Sequence, residues 1–187
     1  MLKNYISIMR GAALAALMLC GAPAIAQTTA SGVINGVLVN KDGISIVFNT
    51  DPAGVTLGAS GTAAASLNFG TISAFGPLAV GVTRPSLLAA TFTVRTIFDV
   101  QVIQGGLTTT TYNLSANLAA AAPTGFSYRV DAVNLTTVAQ TVQTNAPFNN
   151  NVPHNLDLTV LRAAPGAGGP AVGTPITATI NFTATAN

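Results

Sequence analysis

Apolar and polar residues alternate over long segments of this chain, and this alternation limits its fold more than any other feature. The segment 176–185 has Thr or Asn at every odd position and an apolar residue at every even one. The segment 91–103 is similar, although Thr96 and Ile97 invert the pattern. Successive strand side chains point to opposite faces, so period two predicts a strand with one buried face. Both segments are predicted strands, with a bulge or a switch of sheet near Thr96.

Shorter alternating segments occur along the rest of the chain. The clearer ones are residues 32–39, 44–48, 110–118, 126–132 and 156–160, and the weaker ones are residues 55–57, 66–72 and 138–142. Asp42-Gly43 lies between the first two segments, and Gly105-Gly106 lies between the segments 91–103 and 110–118. Both dipeptides favour tight turns, so each predicts a hairpin between the segments that it joins.

The number of strands and the lack of a repeat period predict the fold class. About eight to ten short strands indicate one all-β domain, a single antiparallel β-sandwich of the immunoglobulin-like kind. A β-barrel is the alternative; an outer-membrane barrel is disfavoured because it normally has aromatic girdles, and this chain has 6% aromatic residues and no Trp. The apolar phase of the strands predicts burial between two sheets for Phe92, Val100, Leu114, Val130, Leu158 and Ile180.

The first 26 residues are predicted to be a secretory signal peptide. Lys3 and Arg10 precede an uncharged apolar run, residues 11–20, which is too short to span a bilayer, and Ala24-Ile25-Ala26 matches a cleavage site. Lipid attachment at Cys20 is disfavoured because the preceding residue, Leu19, is not small. We therefore expect a single secreted domain, residues 27–187, that is extracellular, periplasmic or at the cell surface and has no stable membrane insertion.

Removal of this segment would change the charge and the redox chemistry of the chain. It would take away two of the seven basic residues and so balance the five acidic ones. The isoelectric point of about 9.0 therefore reflects the signal peptide, and no basic patch indicates nucleic acid as a partner. The chain's one cysteine, Cys20, would also be lost, so the domain is expected to depend on packing without disulfides.

Few residues outside the signal peptide could carry catalysis or bind metal. The chain has one His, and its five acidic residues are all Asp. His154 and Asp157 are three apart, but we interpret His154 as a solvated residue of the loop 149–153 and Asp157 as outward on the following strand. Ser60 lacks the Gly-x-Ser-x-Gly setting of a hydrolase nucleophile.

Two further groups of residues that include Asp are candidate sites. Asp99 and Asp131 could serve as a glycosidase pair, but both are predicted to be outward on strands, where salt bridges with Arg95 and Arg129 are equally expected. Calcium could use Asp42 or Asp51 with residues 149–151, yet the Asp-x-Asp-x-Asp pattern is missing and these residues also favour turns. One His without Cys excludes the usual structural zinc site. We predict no catalytic residues, no metal and no cofactor.

The predicted outward faces are rich in Thr and poor in charge. β-Propensity alone places Thr on strands. Two functional interpretations are a flat Thr array that orders water or ice, and a surface that packs against copies of itself. Lysine normally blocks pairing between strand edges, and Lys41 is the one lysine outside the signal peptide. Self-association is therefore the stronger interpretation.

Two short segments carry a resemblance to a known group of proteins. The segment Ser66-Leu67-Asn68-Phe69-Gly70-Thr71, followed by the closing strand 176–182, resembles spore-coat-U and chaperone–usher pilin-type secreted sandwiches. Those proteins usually carry a cysteine pair, which this chain lacks outside the signal peptide. The chain end also looks similar to uncharacterised secreted bacterial proteins. The pilin resemblance implies subunits joined by a donated strand, and residues 27–39 are the candidate segment.

These observations predict a secreted, non-enzymatic structural or surface-interaction protein, with a pilin-like or matrix filament subunit as its specific form. The expected partners are copies of the chain or other surface proteins. The alternative is a carbohydrate-binding module or weak hydrolase. Sugars generally stack on exposed aromatic rings; Tyr112 and Tyr128 fall in the apolar phase, which leaves Phe75 and Phe148 as candidates.

Overall fold

The computed structural model describes residues 28–37, 43–163, 169–170, 173 and 175–187 of the chain. These residues form strands and no helix. In chain order the strands are β1 (Thr28–Val37), β2 (Ile44–Asn49), β3 (Ala64–Ile72), β4 (Thr83–Leu87), β5 (Thr91–Gln104), β6 (Thr111–Leu118), β7 (Phe126–Val130), β8 (Val133–Asn134), β9 (Gln140–Pro147), β10 (Asn151–Leu161) and β11 (Ile176–Ala186).

The strands form two sheets that pack face to face. Sheet A has the order β3-β1-β11-β6-β9, and sheet B has the order β2-β5-β10-β7-β8, with β4 also paired to β5. Within the described residues, β1 and β11 pair in parallel, and the other strand pairs are antiparallel. This arrangement confirms the predicted all-β sandwich. The described strands do not form the closed β-barrel that was the alternative.

The core lies between the two inner faces. Phe182 of sheet A packs edge-on against Phe48 and Phe98 of sheet B, with ring centroids 5.4 and 5.8 Å apart. Such tilted aromatic pairs combine a large buried area with favourable ring electrostatics. All six residues predicted for the core are buried, which confirms that the apolar phase of each strand faces the opposite sheet: Phe92, Val100, Leu114, Val130, Leu158 and Ile180.

Strand β1 fits into the middle of sheet A because two inward positions are glycine. A Cβ on Gly32 would lie 2.8 Å from the carbonyl oxygen of Ala178 in β11, and a Cβ on Gly36 would lie 3.0 Å from the Cβ of Ile46. On the same face of β1, Ala30 and Ile34 are buried. Side chains at the two glycine positions would push β1 out of contact with its neighbours.

Both predicted hairpins are wrong in their pairing. Strand β1 pairs with β3 and β11, whereas β2 pairs with β5. Strand β5 belongs to sheet B and β6 to sheet A. Each connection therefore joins one sheet to the other, because a turn signal in the sequence favours a reversal of the chain without selecting the hydrogen-bonding partner. Gly43 and Gly105 are in contact, since the Gly105 N–H donates to the Gly43 carbonyl at 3.0 Å.

The predicted irregularity at Thr96 takes a different form. The register between β5 and β10 runs unbroken from Thr91 to Gln101, and Thr96 keeps an inward position with 1% of its surface exposed. Its hydroxyl accepts the Val55 N–H and donates to the Gly81 carbonyl, both at 2.9 Å. At this point the other edge of β5 changes partner from β2 to β4. The buried Thr96 hydroxyl thus satisfies two backbone groups at the position where the pairing of β5 with β2 ends and its pairing with β4 begins.

Several predictions fall outside the described residues. The signal peptide, residues 1–26, is among them, as are residues 38–39 of the predicted strand 32–39 and Asp42 of the predicted turn. Nothing in the described part of the chain forms a helix with the length and hydropathy needed to cross a membrane.

The packing of β11 gives a direct test of the sandwich. Replacing the buried Ile180 with Ala should lower the free energy of unfolding by about 2–5 kcal/mol, because it removes core contacts and leaves a cavity. Replacing the exposed Thr185 of the same strand with Ala should change it by about 0.5 kcal/mol or less. Urea unfolding of both variants measures the difference; equal effects would contradict the assignment of the inner face.

Candidate functional site

His154, the chain's one histidine, lies in β10 and not in the predicted loop. Strand β10 begins at Asn151, so Pro153 is also part of it. The N–H of Asn155 points toward β7, where it donates to the Asp131 carboxylate at 2.8 Å. Backbone nitrogens two residues apart point to the same edge of a strand, so the nitrogen of Pro153 also points toward the β7 edge. The pairing of β7 with β10 does not extend to Pro153. Proline is tolerated there because no strand requires its N–H.

His154 is buried and forms a hydrogen-bonded pair with Asp131. One per cent of its surface is exposed, and its ring lies 5.9 Å from that of Phe98. Its Nδ1 lies 2.5 Å from Oδ2 of Asp131. Asp131 and Ala132 form the turn between β7 and β8, with φ values of 46° and 72°. Two left-handed residues are typical of a type I′ hairpin turn, in which Asp is common and Ala is unusual.

The surroundings of Asp131 favour its ionised form. Burial alone would raise the pKa of Asp131, but hydrogen bonds from His154 and the Asn155 N–H, together with the charge of His154, outweigh burial and lower the pKa below its usual value. The carboxylate thus joins the β7–β8 turn to β10. This contact offsets the cost of a left-handed Ala in the turn.

A carboxylate that orients a histidine is also part of many catalytic sites, because it prepares the far ring nitrogen to act as a base. Here that nitrogen, Nε2, is buried and has no hydrogen-bond partner among the described residues. A general base must lie within hydrogen-bond reach of a substrate. The pair as arranged holds a turn to a strand, which is a structural role.

The prediction that Asp99 and Asp131 form salt bridges with Arg95 and Arg129 is wrong. Arg95 instead forms a bidentate ion pair with Asp157, at 2.6 Å from Nε to Oδ1 and 2.9 Å from Nη2 to Oδ2. The hydrogen bond with Asp157 raises the pKa of Arg95. Arg129 donates to the carbonyl of Ala132 at 2.7 Å. The register places Arg95 directly opposite Asp157, and this long-range pairing was not visible in the sequence.

Asp99 and the proposed calcium ligands have other partners. Burial, and after it the neighbouring Asp51, raises the pKa of Asp99. Asp51 accepts the Ala53 N–H at 2.7 Å in a local turn, and Asn151 accepts from Asn49 at 2.9 Å. No three His, Cys, Asp or Glu residues come together as a metal site in the part of the chain that the structure describes; Asp42 lies outside that part.

The two aromatic candidates for sugar binding differ in exposure. Phe148 is 6% exposed and packs against Tyr112, with ring centroids 5.2 Å apart. Phe75 is 57% exposed, and the guanidinium of Arg162 lies 4.9 Å from its ring centroid. The prediction that Phe148 is free is therefore wrong, because the turn after β9 folds it over Tyr112.

The feature that sequence reasoning missed is the separation of charge between the two sheets. The described residues of β1, β3, β6, β9 and β11 include no charged side chain. Lys41 and Asp42 lie outside the described residues. The described charged residues all lie in sheet B strands or within two residues of one: Asp51, Arg84, Arg95, Asp99, Arg129, Asp131, Asp157 and Arg162. A count of charges per strand would have revealed this, once the members of each sheet were known.

The outward side of sheet A, which we call the neutral face, is a ladder of Ser, Thr and Asn side chains. The strand registers place them in rows that cross the sheet. Three of these rows are Ser66–Val33–Thr179, Asn35–Asn181–Asn117 and Thr183–Ser115–Thr141. The face therefore presents hydrogen-bonding groups without charge across all five strands.

One end of the neutral face is an open groove of about 620 Å³. Its floor includes Ser31, Val33 and Thr179, and residues 119–123 form its border. The Ala119 N–H donates to the Thr179 carbonyl at 2.9 Å, which ties this border to β11. Within the border, Ala119, Ala120 and Ala121 are exposed. The groove thus has an exposed apolar border on the same face.

Comparison with protein-family models and with curated proteins finds no match for this chain. The resemblance to spore-coat-U and pilin-type proteins stays a prediction.

The Asp131 contact predicts a dependence of stability on pH. A carboxyl whose pKa is lowered by folding stabilises the protein above its unfolded pKa, about 3.9, and loses this contribution as the pH falls through the folded pKa. Asp131→Asn should lower the free energy of unfolding at pH 7 by about 1.5–3 kcal/mol and flatten the decline below pH 5. Urea unfolding between pH 3 and pH 7 measures both effects.

Asp99 supplies the matched control, since folding raises its pKa. Its ionised form costs stability, so Asp99→Asn should not lower the free energy of unfolding at pH 7. If Asp131→Asn kept the acid dependence of the original protein, the Asp131–His154 contact would not be the source of it.

Proposed function

We propose that this protein is a secreted structural or surface-interaction protein, without catalytic activity, that associates with copies of itself in a filament or surface matrix. The observation that supports the proposal is the neutral face. A surface of five strands without charge presents no electrostatic barrier to a second neutral surface, and it exposes no charge that would lose its hydration on contact.

The alternative functions have less support. Carbohydrate binding would use exposed rings, and of the two candidates Phe75 is exposed with one side occupied by Arg162. An ice-ordering surface would need a regular Thr array. Thr occupies most outward positions of β11, but the rows continue with Ser, Asn and Val on the neighbouring strands.

The N-terminal segment bears on how a filament would form. In the single chain, β1 occupies the place between β3 and β11, and its Ala30 and Ile34 are buried. A strand that fills its own sheet can fill the same place in a neighbouring copy, because the contacts are identical in both arrangements. Exchange of β1 is therefore one route by which copies of this sandwich would join.

Removal of β1 tests this route. Deletion of residues 27–39 should leave the remaining chain unable to complete sheet A, so it should lose its cooperative thermal transition. Addition of a synthetic peptide of residues 27–39 should restore the transition, since the peptide can occupy the empty place. The same peptide with Ile34→Asp should not restore it, because a buried charge is costly. Circular dichroism and size-exclusion chromatography measure folding and assembly.

Two results would count against these proposals. A truncated chain that stays folded without the peptide would show that β1 is dispensable and would end the strand-exchange route. Immunogold microscopy that placed the protein in the cytoplasm would contradict the secreted role.

A further inference from the structure

We propose that the neutral face is a contact surface between two copies of this chain, which pack sheet A against sheet A around a two-fold axis. The inference deepens the proposed function and rests on it, because it names the surface by which copies associate. It places the charged sheet B outermost in the pair.

The charge distribution favours this orientation over others. The described charged residues lie in or beside sheet B, with Arg95, Asp157 and Arg129 in one row across three strands. A contact through sheet B would bring such groups together and remove them from water, which is costly unless each finds a partner. A contact through the neutral face avoids this cost and leaves the charges in solvent, where they keep the pair soluble.

The side chains of the neutral face are complementary to themselves. Each Ser or Thr hydroxyl and each Asn amide can both donate and accept a hydrogen bond. A row such as Asn35–Asn181–Asn117 can therefore bond to a second copy of the same row. Val33, which is 41% exposed, adds an apolar group near the groove. An isologous interface requires this kind of complementarity, because both partners use the same surface.

The shape of the face meets the same requirement. The groove over Ser31 and Thr179 lies beside the exposed alanines of residues 119–123. In a two-fold pair the exposed alanines of each copy can pack into the groove of the other. One chemical surface therefore supplies both the projecting and the receiving part of the interface.

The area is sufficient for a dimer at the smaller end of specific interfaces. Five strands about 4.8 Å apart, over eight residues of about 3.3 Å each, cover roughly 600 Å². Two copies would bury roughly 1,200 Å² together, which is the lower limit for specific protein–protein contacts. We therefore expect a weak or moderate dimer that assembles reversibly.

The edges of sheet A are less suited to association than its face. At the β3 edge, Ser66 already exchanges two backbone hydrogen bonds with Gly58, at 2.8 and 2.9 Å, and the Asn68 side chain accepts the Gly70 N–H. At the β9 edge, the register shifts twice against β6. Covered and bulged edges do not offer a regular ladder to a second chain. The neutral face is therefore the better surface for contact between copies.

Lysines placed on either face separate this interface from other modes of association. Thr179→Lys/Thr183→Lys adds two outward charges on β11, the middle strand of the neutral face. Ser127→Lys/Asn134→Lys is the matched control, with two exposed positions on sheet B strands. Sedimentation equilibrium of residues 27–187 over a concentration series gives the dimer dissociation constant. The neutral-face variant should raise it about tenfold or more, and the control should leave it unchanged.

Salt concentration gives a second reading of the same experiment. Dimerisation of the unaltered chain should be insensitive to salt, because the interface lacks charge, whereas salt should partly restore dimerisation of the neutral-face variant by screening its lysines. This interface would be overturned if the neutral-face variant dimerised as tightly as the unaltered chain, or if only the control substitutions weakened dimerisation. Neither result would overturn the proposed self-association. A chain that remains monomeric at every concentration would overturn both.

Discussion

The structure depends on the parallel pairing of β1 with β11, which joins the first described strand to the last. Eight residue pairs connect these strands, from Ala30 opposite Ile176 to Val37 opposite Thr183. Without β1, β3 would lose its partner in sheet A. The pairing is also the longest-range contact in the sandwich, so its entropy cost is high and its formation is expected to be slow. Gly32 and Gly36 make it possible by leaving room for the backbone of β11 and for sheet B.

This pairing also brings the uncharged strands together. The segments that contribute to sheet A are spread along the whole chain, and only the closure of β1 against β11 assembles them into one surface. The charged strands β4, β5, β7 and β10 are left to form sheet B with β2 and β8. The neutral face is thus a consequence of topology, because no single segment of the sequence carries it. The functional proposals follow from this separation of charge.

The strands of this fold could be predicted because alternation is a local property. Segments 91–103 and 176–185 matched β5 and β11 closely. Their partners could not be predicted in the same way, since Asp42-Gly43 and Gly105-Gly106 specify a reversal of the chain without specifying the sheet. His154 was misplaced for a related reason: Pro153 indicates a loop locally, and only the end of β7 beside it allows a strand.

Ion pairs and aromatic exposure were equally dependent on register. Asp157 meets Arg95 because β10 and β5 place them opposite each other. Phe148 is buried because a turn brings it to Tyr112. The inner faces needed no such information, since every strand presents its apolar phase to the same core. Burial of the apolar strand residues was therefore predictable from the sequence, whereas the strand pairing that creates the neutral face was not.

Disulfide cross-linking tests most directly whether the neutral face lies between two copies. Residues 27–187 contain no cysteine, so a single cysteine introduced at Thr179, Asn181 or Thr183 reports on that position alone. Under mild oxidation, at least one of these variants should form a covalent dimer rapidly at a concentration where the unaltered chain associates. Ser127→Cys, exposed on sheet B, should form it slowly. Rapid cross-linking at Ser127, with none at the three positions of β11, would contradict the account.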